Sequence, residues 1–213
     1  MWTLFCLKKG GTERMHILLS PHVRLKQWER TDAEALFWLT EMNRHYLRQW
    51  LPWLDTVRRL GDTERFIALT LEQDANQQGK HFGIWYQGRL AGTVGVHRID
   101  WTNRKTEIGY WLAAGYQGKG LMTAAVAAYI DRLIFGEWDL NKVTISAATG
   151  NLKSRAIPER LGFRLEGVIR CNEWLYDRYV DHAVYGLLAE EWNRYGQSIA
   201  RPPQNLSEQT EKS

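Results

Sequence analysis

Hydrophobic and polar residues recur with two different periods along this chain of 213 residues. Successive side chains of a strand point to opposite faces, whereas one face of a helix returns every three or four residues. Alternating segments predict strands over residues 23–28, 81–86, 90–99, 104–112, 142–148, 163–167 and 177–188. A Gln87-Gly88 pair between the second and third segments predicts a hairpin.

Helical spacing separates these predicted strands. Asp32 is a candidate cap for a first helix, whose apolar side would contain Ala35, Leu36, Leu39 and Met42. Asp62 would open a second helix over residues 63–77, and Pro52 interrupts the pattern between the two. One face of a third helix would comprise Met122, Val126, Tyr129, Ile130 and Leu133. With a short helix near residues 154–161, the order predicts a mixed α/β fold with antiparallel hairpins.

The domain organisation that we predict is a single domain over residues 16–195. The length and a hydrophobic fraction of 44% are sufficient for one core. Residues 1–15 show no clear period and are predicted to be an N-terminal extension, with Met15 as an alternative start. Residues 196–213 are polar and are predicted to form a disordered tail.

The composition indicates the cellular compartment and limits the classes of ligand and partner that are expected. No apolar run approaches the ~20 residues that span a bilayer, and residues 2–7 are too short for a secretory core. Cys6 and Cys171 are far apart, which favours free thiols in a reducing, cytoplasmic compartment. No metal-binding motif occurs, so no metal is expected. The net charge of +4 lacks a dense basic stripe, so neither direct nucleic-acid binding nor membrane binding is expected.

The stretch 107–122 contains the strongest local motif. An aromatic-rich strand leads into Gln117-Gly118-Lys119-Gly120, and the third predicted helix follows at once. Glycines allow the backbone to approach a ligand closely, and a helix N-terminus presents unpaired N–H groups, so the loop is suited to phosphate. An ordinary strand-to-helix turn is the alternative. The P-loop pattern is absent because Leu121 stands where Ser or Thr is required, and Thr123 breaks the dinucleotide pattern.

A second motif lies downstream, in Asn151-Leu-Lys-Ser154 followed by Gly162-Phe163 and Leu165-Glu-Gly167. Together with the glycine loop, this string resembles the GCN5-related N-acetyltransferase superfamily, and within it the RimL-type branch of ribosomal-protein N-terminal acetyltransferases. The resemblance implies an acyl-CoA N-acyltransferase fold with a twisted, mostly antiparallel sheet and flanking helices. It also implies a homodimer. Met122 departs from the loop pattern, which has Gly or Ala at that position.

The resemblance further implies acetyl-CoA as cosubstrate and assigns the residues that bind it. The pyrophosphate would lie on the glycine loop, at Gln117, Gly118, Lys119, Gly120, Leu121 and Met122. The pantetheine arm would pair with the strand that holds Tyr110, Trp111 and Leu112. Asn151 matches a further cofactor contact, with a plain turn residue as its alternative reading.

Three residues are candidates for the chemistry. Glu173 lies 19 residues after Ser154, the spacing of the catalytic pair in the RimL-type branch, and is the first choice of general base. The alternative is a solvated carboxylate. Glu107 is the second candidate base, or else a half-buried carboxylate paired with an arginine. Ser154 matches the residue that hydrogen-bonds or protonates the leaving thiolate. The alternative is a helix N-cap, in which case Pro158 would remove only the first hydrogen bond within that helix.

The remaining candidates concern the acceptor. Trp50 and Trp53 would grip it, unless they belong to the core of the first helical pair. His45, His97 and His182 have no partner suggested by spacing and are read as ordinary residues, and Cys171 is not expected to act as a nucleophile. The leading hypothesis is acetyl transfer to a protein N-terminus. Transfer to a small amine, such as a polyamine or antibiotic, and a non-catalytic CoA-binding module are the alternatives.

Overall fold

The computed structural model describes residues 2–9 and 12–192, of which residues 4–9 and 12–14 are described by their backbone alone. The predicted tail over residues 196–213 lies outside the described residues. The strands are β1 (Thr3–Lys9), β2 (Thr12–Ser20), β3 (Val23–Gln27), β4 (His81–Tyr86), β5 (Arg89–Asp100), β6 (Lys105–Leu112), β7 (Lys142–Ala148), β8 (Arg164–Leu175) and β9 (Arg178–Leu188). The helices are α1 (Ala33–Met42), α2 (Arg44–Leu47), α3 (Leu60–Ala75), α4 (Leu121–Tyr129) and α5 (Leu152–Arg160).

The nine strands form one sheet in the order β1-β2-β3-β4-β5-β6-β7-β9-β8. Every neighbouring pair is antiparallel except β6 and β7, which are parallel because helix α4 connects them. The predicted α/β class and the mostly antiparallel sheet are therefore confirmed. None of the described helices is long and apolar enough to span a bilayer.

The segment 1–15, which shows no clear period in the sequence, contributes β1 and the start of β2. β1 and β2 form a hairpin, and β2 continues the sheet beside β3. Met15, His16 and Ile17 are all buried, so β2 is covered on both faces and loses the alternation that would have revealed it. The boundary of the domain at residue 16 stays a prediction.

The first helix is rotated relative to the expectation. Leu36 and Leu39 are buried as predicted, but Ala35 is exposed and Met42 is 74% exposed. Packing against α3, rather than the apolar pattern alone, sets the buried face of α1. Asp32 occupies the N-cap position of α1, as predicted, but its side chain makes no capping bond to the helix. Its carboxylate instead accepts hydrogen bonds from the Glu29 N–H, at 2.9 Å, and from the Lys26 ammonium.

The long connection from β6 to β7 lies in the main core. The predicted apolar face of α4 is buried throughout, and Ala125, Ala127 and Ala128 are buried as well, because the helix is covered on several sides. After Tyr129 the helix widens to a π-helix over Ile130–Glu137. The helix N-terminus at Leu121 stands beside the end of β6, as the sequence predicted.

β6 and β7 separate soon after they pair. Parallel pairing joins only Lys105–Glu107 of β6 to residues 142–144 of β7. On its other edge, β6 stays paired with β5 up to Leu112. The edge of β6 that faces β7 is therefore open over residues 108–112, and a gap lies between the two strands.

Helix α5 begins earlier than the sequence suggested. The Asn151 side chain accepts the N–H of Ser154 at 3.2 Å, so Asn151 rather than Ser154 is the N-cap. Pro158 therefore lies inside the helix and supplies no N–H to the carbonyl of Ser154 four residues before it. That carbonyl instead accepts the Tyr110 hydroxyl at 3.0 Å, which ties β6 to α5.

We expect Tyr110→Phe to lower the free energy of unfolding by ~1–3 kcal/mol, because the Ser154 carbonyl would be left without a donor. Urea denaturation gives the difference. Tyr116→Phe is the matched control, since the Tyr116 hydroxyl forms no hydrogen bond to the described residues. Adding Pro158→Ala to Tyr110→Phe supplies the missing N–H and should restore part of the loss. Equal stability of the two tyrosine variants would contradict the assignment.

Candidate active site

Two cavities meet at the gap between β6 and β7. The first, of about 930 Å³, contains the glycine loop and is named the loop cavity here. The second, of about 830 Å³, contains Glu107 and Glu173 and is named the carboxylate cavity. Residues that line both cavities mark their junction: Trp50, Leu51, Tyr110, Trp111, Asn151 and Ser154.

The glycine loop adopts backbone conformations that explain its two glycines. Gly118 and Gly120 have φ angles of 76° and 72°, in the left-handed region. No atom lies within 4 Å of a Cβ built on either residue, so backbone conformation rather than space requires glycine. The first bond of α4 joins the Ala124 N–H to the Gly120 carbonyl at 3.0 Å. The N–H groups of residues 121–123 precede that bond and are therefore available to an anion.

Most of the predicted loop residues line the loop cavity. Gln117, Gly118, Gly120, Leu121 and Met122 do so. Lys119 is exposed and is not among the residues that line the cavity, so its contact with the pyrophosphate stays a prediction.

Two other basic residues, which the sequence analysis did not identify, line this cavity. Lys153 Nζ donates to Gln117 Oε1 at 2.9 Å, and Arg160 Nη1 donates to Thr123 Oγ1 at 2.9 Å. The amide nitrogen of Gln117 also donates to the Tyr46 hydroxyl. Lys153 and Arg160 are seven residues apart on α5, two helical turns, which places them on one face. That spacing was the only sign of the pair in the sequence.

The open edge of β6 forms one wall of both cavities. Tyr110 and Trp111 line both, whereas Leu112 lines the loop cavity alone. Beyond Glu107 the backbone of β6 has no partner in β7, so an extended ligand can pair with this edge. Burial raises the pKa of Tyr110 far above its ordinary value, so its hydroxyl stays protonated and keeps donating to Ser154.

Ser154 lies at the junction of the two cavities. Its N–H donates to Asn151, its carbonyl accepts the Tyr110 hydroxyl, and its own hydroxyl side chain interacts with the same tyrosine. The helix-cap reading of Ser154 is wrong, because Asn151 has that role. Asn151 itself caps α5 and also lines both cavities.

Glu173 and Glu107 both reach the carboxylate cavity, from opposite sides of the gap. The Glu173 side chain is 31% exposed, and its Oε2 lies 3.5 Å from His182 Nε2. Glu107 is half-buried on β6 and stands opposite Arg98 in the strand register, yet it forms no ion pair within the described residues. The reading of Glu107 as an arginine-paired carboxylate therefore finds no support.

The two tryptophans belong to the cavity walls. Trp50 lines both cavities, and Trp53 lines the carboxylate cavity. The turn between β8 and β9 holds their segment in place. Tyr176 donates its hydroxyl to the Leu51 carbonyl at 2.7 Å, and the Arg48 guanidinium lies 3.7 Å from the centre of the Tyr176 ring.

The three histidines that were interpreted as ordinary residues have different surroundings. His97 and His182 line the carboxylate cavity together with His81, whereas His45 is exposed outside it. A Cβ on Gly95 would lie 2.2 Å from His81 Nδ1, and one on Gly109 would lie 2.4 Å from His97 Nε2. The His81 and His97 rings thus occupy space that only a glycine on the neighbouring strand leaves open. These contacts join different strands, so the spacing of residues in the sequence does not reveal them.

Burial lowers the pKa of His81 from its ordinary 6.5 to about 4, with a smaller effect from nearby His97. Between pH 4 and pH 6.5, the His81 imidazole is protonated in the unfolded chain but neutral in the folded protein. The free energy of unfolding is therefore unaffected by His81 above pH 6.5 and decreases by up to ~3 kcal/mol as the pH falls towards 4. Chemical denaturation across this range should give a shallower loss for His81→Leu than for the parent, whereas His45→Leu should follow the parent. Parallel curves for His81→Leu and the parent would contradict the burial of a neutral imidazole.

No cluster of His, Cys, Asp and Glu suited to a metal ion occurs among the residues that the structure describes. Cys171 is a free, exposed cysteine in β8. The site thus combines a cradle for an anionic ligand, an open strand edge, the Ser154 hydroxyl, and the carboxylates of Glu107 and Glu173.

Comparison with known proteins gives consistent similarities. Residues 22–164 match the family described as "Acetyltransferase (GNAT) domain". The chain is 39% identical over 176 residues to "Putative ribosomal N-acetyltransferase YdaF" of Bacillus subtilis (strain 168), covering 82% of this chain and 95% of that protein. It is 28% identical over 174 residues to the ribosomal-protein-serine acetyltransferase of Escherichia coli (strain K12), covering 82% and 97%.

A solved structure is similar over a comparable length. It is the microcin C7 self-immunity acetyltransferase MccE in complex with acetyl-CoA and AMP. The TM-score is 0.77 at 29% identity, and the match covers 81% of this chain and 95% of that one.

Proposed function

The chain belongs to the GNAT acetyltransferase family and is an acetyl-CoA-dependent N-acetyltransferase, and from that premise we propose that it acetylates the α-amino group of a ribosomal protein. The observation that carries the proposal is the meeting of two cavities at Ser154, with Glu173 on the side away from the glycine loop. The relatives named as ribosomal-protein acetyltransferases support this acceptor class.

The residues of the loop cavity fit acetyl-CoA. The unpaired N–H groups at the start of α4, together with Lys153 and Arg160, offer donors and positive charge to the pyrophosphate. The edge of β6 at Tyr110, Trp111 and Leu112 offers backbone groups to the amide-bearing pantetheine arm. When bound, acetyl-CoA supplies an acetyl thioester whose thiol leaving group has a pKa of ~8.5.

Glu173 is proposed as the general base. An α-amino group with a pKa of ~8 is mostly protonated at neutral pH and must lose that proton before it can attack a carbonyl carbon. The Glu173 carboxylate faces the carboxylate cavity and accepts this proton, directly or through one water. Glu107 lines the same cavity from β6 and is the alternative base.

Ser154 and the β6 edge are proposed to act on the other half of the reaction. Backbone N–H groups of the open edge stabilise the oxyanion that forms when the amine attacks. The Ser154 hydroxyl, which lies at the junction of the two cavities beside Tyr110, donates a hydrogen bond to the departing thiolate. Trp50 and Trp53 form aromatic walls against which the first residues of the acceptor can pack.

A small cationic amine is the second candidate acceptor, and one observation favours it. Glu107, Glu173 and Asp62 line the carboxylate cavity, and Asp62 is paired with Arg65. Two carboxylates that have no arginine or lysine partner among the described residues therefore face the space that the acceptor enters. A polyamine carries several positive charges and can engage both carboxylates. A peptide N-terminus requires only one of them.

The experiment that separates these acceptors measures CoA release with a thiol reagent. N-terminal peptides of the ribosomal proteins and a panel of polyamines and aminoglycosides are compared at matched concentrations, and intact-mass analysis locates the added acetyl group. We expect transfer to the α-amino group of one or a few peptides, and the same peptides with a blocked N-terminus serve as controls. Efficient turnover restricted to polyamines would assign the second candidate instead.

We also propose a homodimer in the cytoplasm. β8 is an edge strand of the sheet, and Leu165, Val168 and Ile169 on it are 53%, 52% and 50% exposed. An edge strand with exposed apolar side chains favours pairing with a second copy. The cytoplasmic assignment follows from the proposed acceptor and agrees with the free thiol of Cys171. Light scattering of the purified protein gives the oligomeric state.

A further inference from the structure

A bulge in β8 determines where the Glu173 side chain points. Ile169 pairs with His182 and Glu173 pairs with Val180, so residues 170–172 of β8 stand opposite the single residue Asp181 of β9. Cys171, within the bulge, has a φ of 49°, in the left-handed region. Such a bulge re-aims the side chains that follow it, and here Asn172 and Glu173 both line the carboxylate cavity.

Two side chains of β9 hold the bulge. Asp181 Oδ1 accepts the Cys171 N–H at 2.8 Å, while the Asp181 carbonyl accepts the N–H of Thr149 at 2.8 Å. The next residue, His182, has its Nδ1 3.1 Å from Asn172 Nδ2. Two of the three residues of the bulge, Cys171 and Asn172, are thus tied to consecutive residues of β9.

The second nitrogen of His182 is directed at the base. His182 Nε2 is buried and makes no hydrogen bond within residues 2–9 and 12–192, and Glu173 Oε2 is 3.5 Å away. A buried polar nitrogen without a partner is rare in folded proteins. Since the Asn172 amide donates to Nδ1, the neutral ring carries its proton on Nε2, towards the carboxylate. A small rotation of the half-exposed Glu173 side chain completes a charge-assisted hydrogen bond.

We propose that His182 is a positioning residue for the base, with Asn172 fixing its tautomer so that Nε2–H holds the Glu173 carboxylate towards the acceptor amine. This inference rests on the proposed role of Glu173. It assigns His182 no contact with the reacting atoms. The role extends to the bulge, because Asn172 is presented to His182 only by the two extra residues of β8.

The test is a double-mutant cycle measured with any amine that the parent acetylates. His182→Ala should lower kcat by about ten- to a hundredfold, the range for a lost hydrogen bond to a charged group, with KM for acetyl-CoA unchanged. His182→Gln retains an N–H donor at similar reach and should recover most of kcat. In a Glu173→Gln background, His182→Ala should change kcat by less than about threefold, because its effect passes through Glu173.

Controls separate this role from a structural one. His45→Ala alters an exposed histidine outside both cavities and should leave kcat unchanged. Calorimetric CoA binding and the thermal midpoint verify that each His182 variant is folded. An equal loss from His182→Ala in the parent and in the Glu173→Gln background would overturn the proposal, because His182 would then act independently of the base.

A second readout needs no acceptor. Long-range proton–nitrogen NMR spectra of the parent, loaded with CoA, report the tautomer of His182, and we expect the proton on Nε2. A proton on Nδ1 would overturn the inference even if every peptide were acetylated. Conversely, the Nε2–H tautomer with no transfer to any peptide would leave the His182–Glu173 contact standing while the proposed acceptor fails.

Discussion

Glu173→Gln is expected to reduce kcat/KM for the acceptor by about 10²–10⁴-fold at pH 7, the usual contribution of a general base. Glutamine keeps the size and polarity of the side chain in the carboxylate cavity but accepts no proton. CoA binding should not change, because Glu173 does not line the loop cavity. The loss should therefore appear in the chemical step and not in the affinity for the cosubstrate.

The pH dependence provides the sharper measurement. An α-amino group with a pKa of ~8 loses its own proton at alkaline pH, so the deficit of Glu173→Gln should shrink as the pH rises from 7 to 9. A variant that is merely misfolded would not recover. The parent should gain less over the same range, since its base already removes that proton.

Glu107→Gln is the matched control for this substitution, because it makes the same chemical change in the same cavity on the other strand. We expect a loss of less than about tenfold, from reduced attraction for a cationic acceptor. If Glu107→Gln instead shows the large, alkali-sensitive deficit and Glu173→Gln does not, the two carboxylates exchange roles.

Gly92→Ala is expected to lower the free energy of unfolding by ~3 kcal/mol or more, at the upper end for an overpacked site. A Cβ on Gly92 would lie 2.3 Å from the Trp111 carbonyl oxygen and 2.9 Å from the Leu112 Cα. Both are backbone atoms of β6, so no side chain can rotate to relieve the contact. The methyl group must push β6 away from β5.

The expected displacement also has a functional consequence, because Trp111 and Leu112 belong to the open edge that lines the loop cavity. KM for acetyl-CoA should rise in any fraction that remains folded. Gly115→Ala is the matched control, since nothing lies within 4 Å of a Cβ there and its φ is not in the left-handed region. Urea denaturation compares the stability of the two variants. Equal midpoints would contradict the prediction, because they would show that β6 can move away from β5 without loss of stability.

The strands and the connection from β6 through α4 to β7 were predictable because their apolar spacing is local and regular. The predicted strands over residues 81–86, 90–99, 104–112 and 142–148 match β4 to β7 within a residue or two at each end. β2 was missed because its residues 15–17 are buried on both faces. The start of α5 was predicted two residues too late because Ser154 is a candidate cap in the sequence, whereas Asn151 caps the helix. The Tyr110 hydroxyl supplies the bond that Pro158 cannot, which is why the proline is tolerated inside the helix.

The sequence by itself determined the fold class, the glycine loop and the set of carboxylates and hydroxyls from which a site is built, because these depend on residue type and short spacing. Only the tertiary structure decided which of them meet. The early separation of β6 from β7 leaves Ser154 at the junction of two cavities. The packing of α5 adds Lys153 and Arg160 to the loop cavity, and three histidines from three strands line the carboxylate cavity. Strand register and packing determine the contacts across strands. They also determine the bulge in β8, where Cys171 is bonded to Asp181, ten positions away in the chain. Neither leaves a local pattern in the sequence.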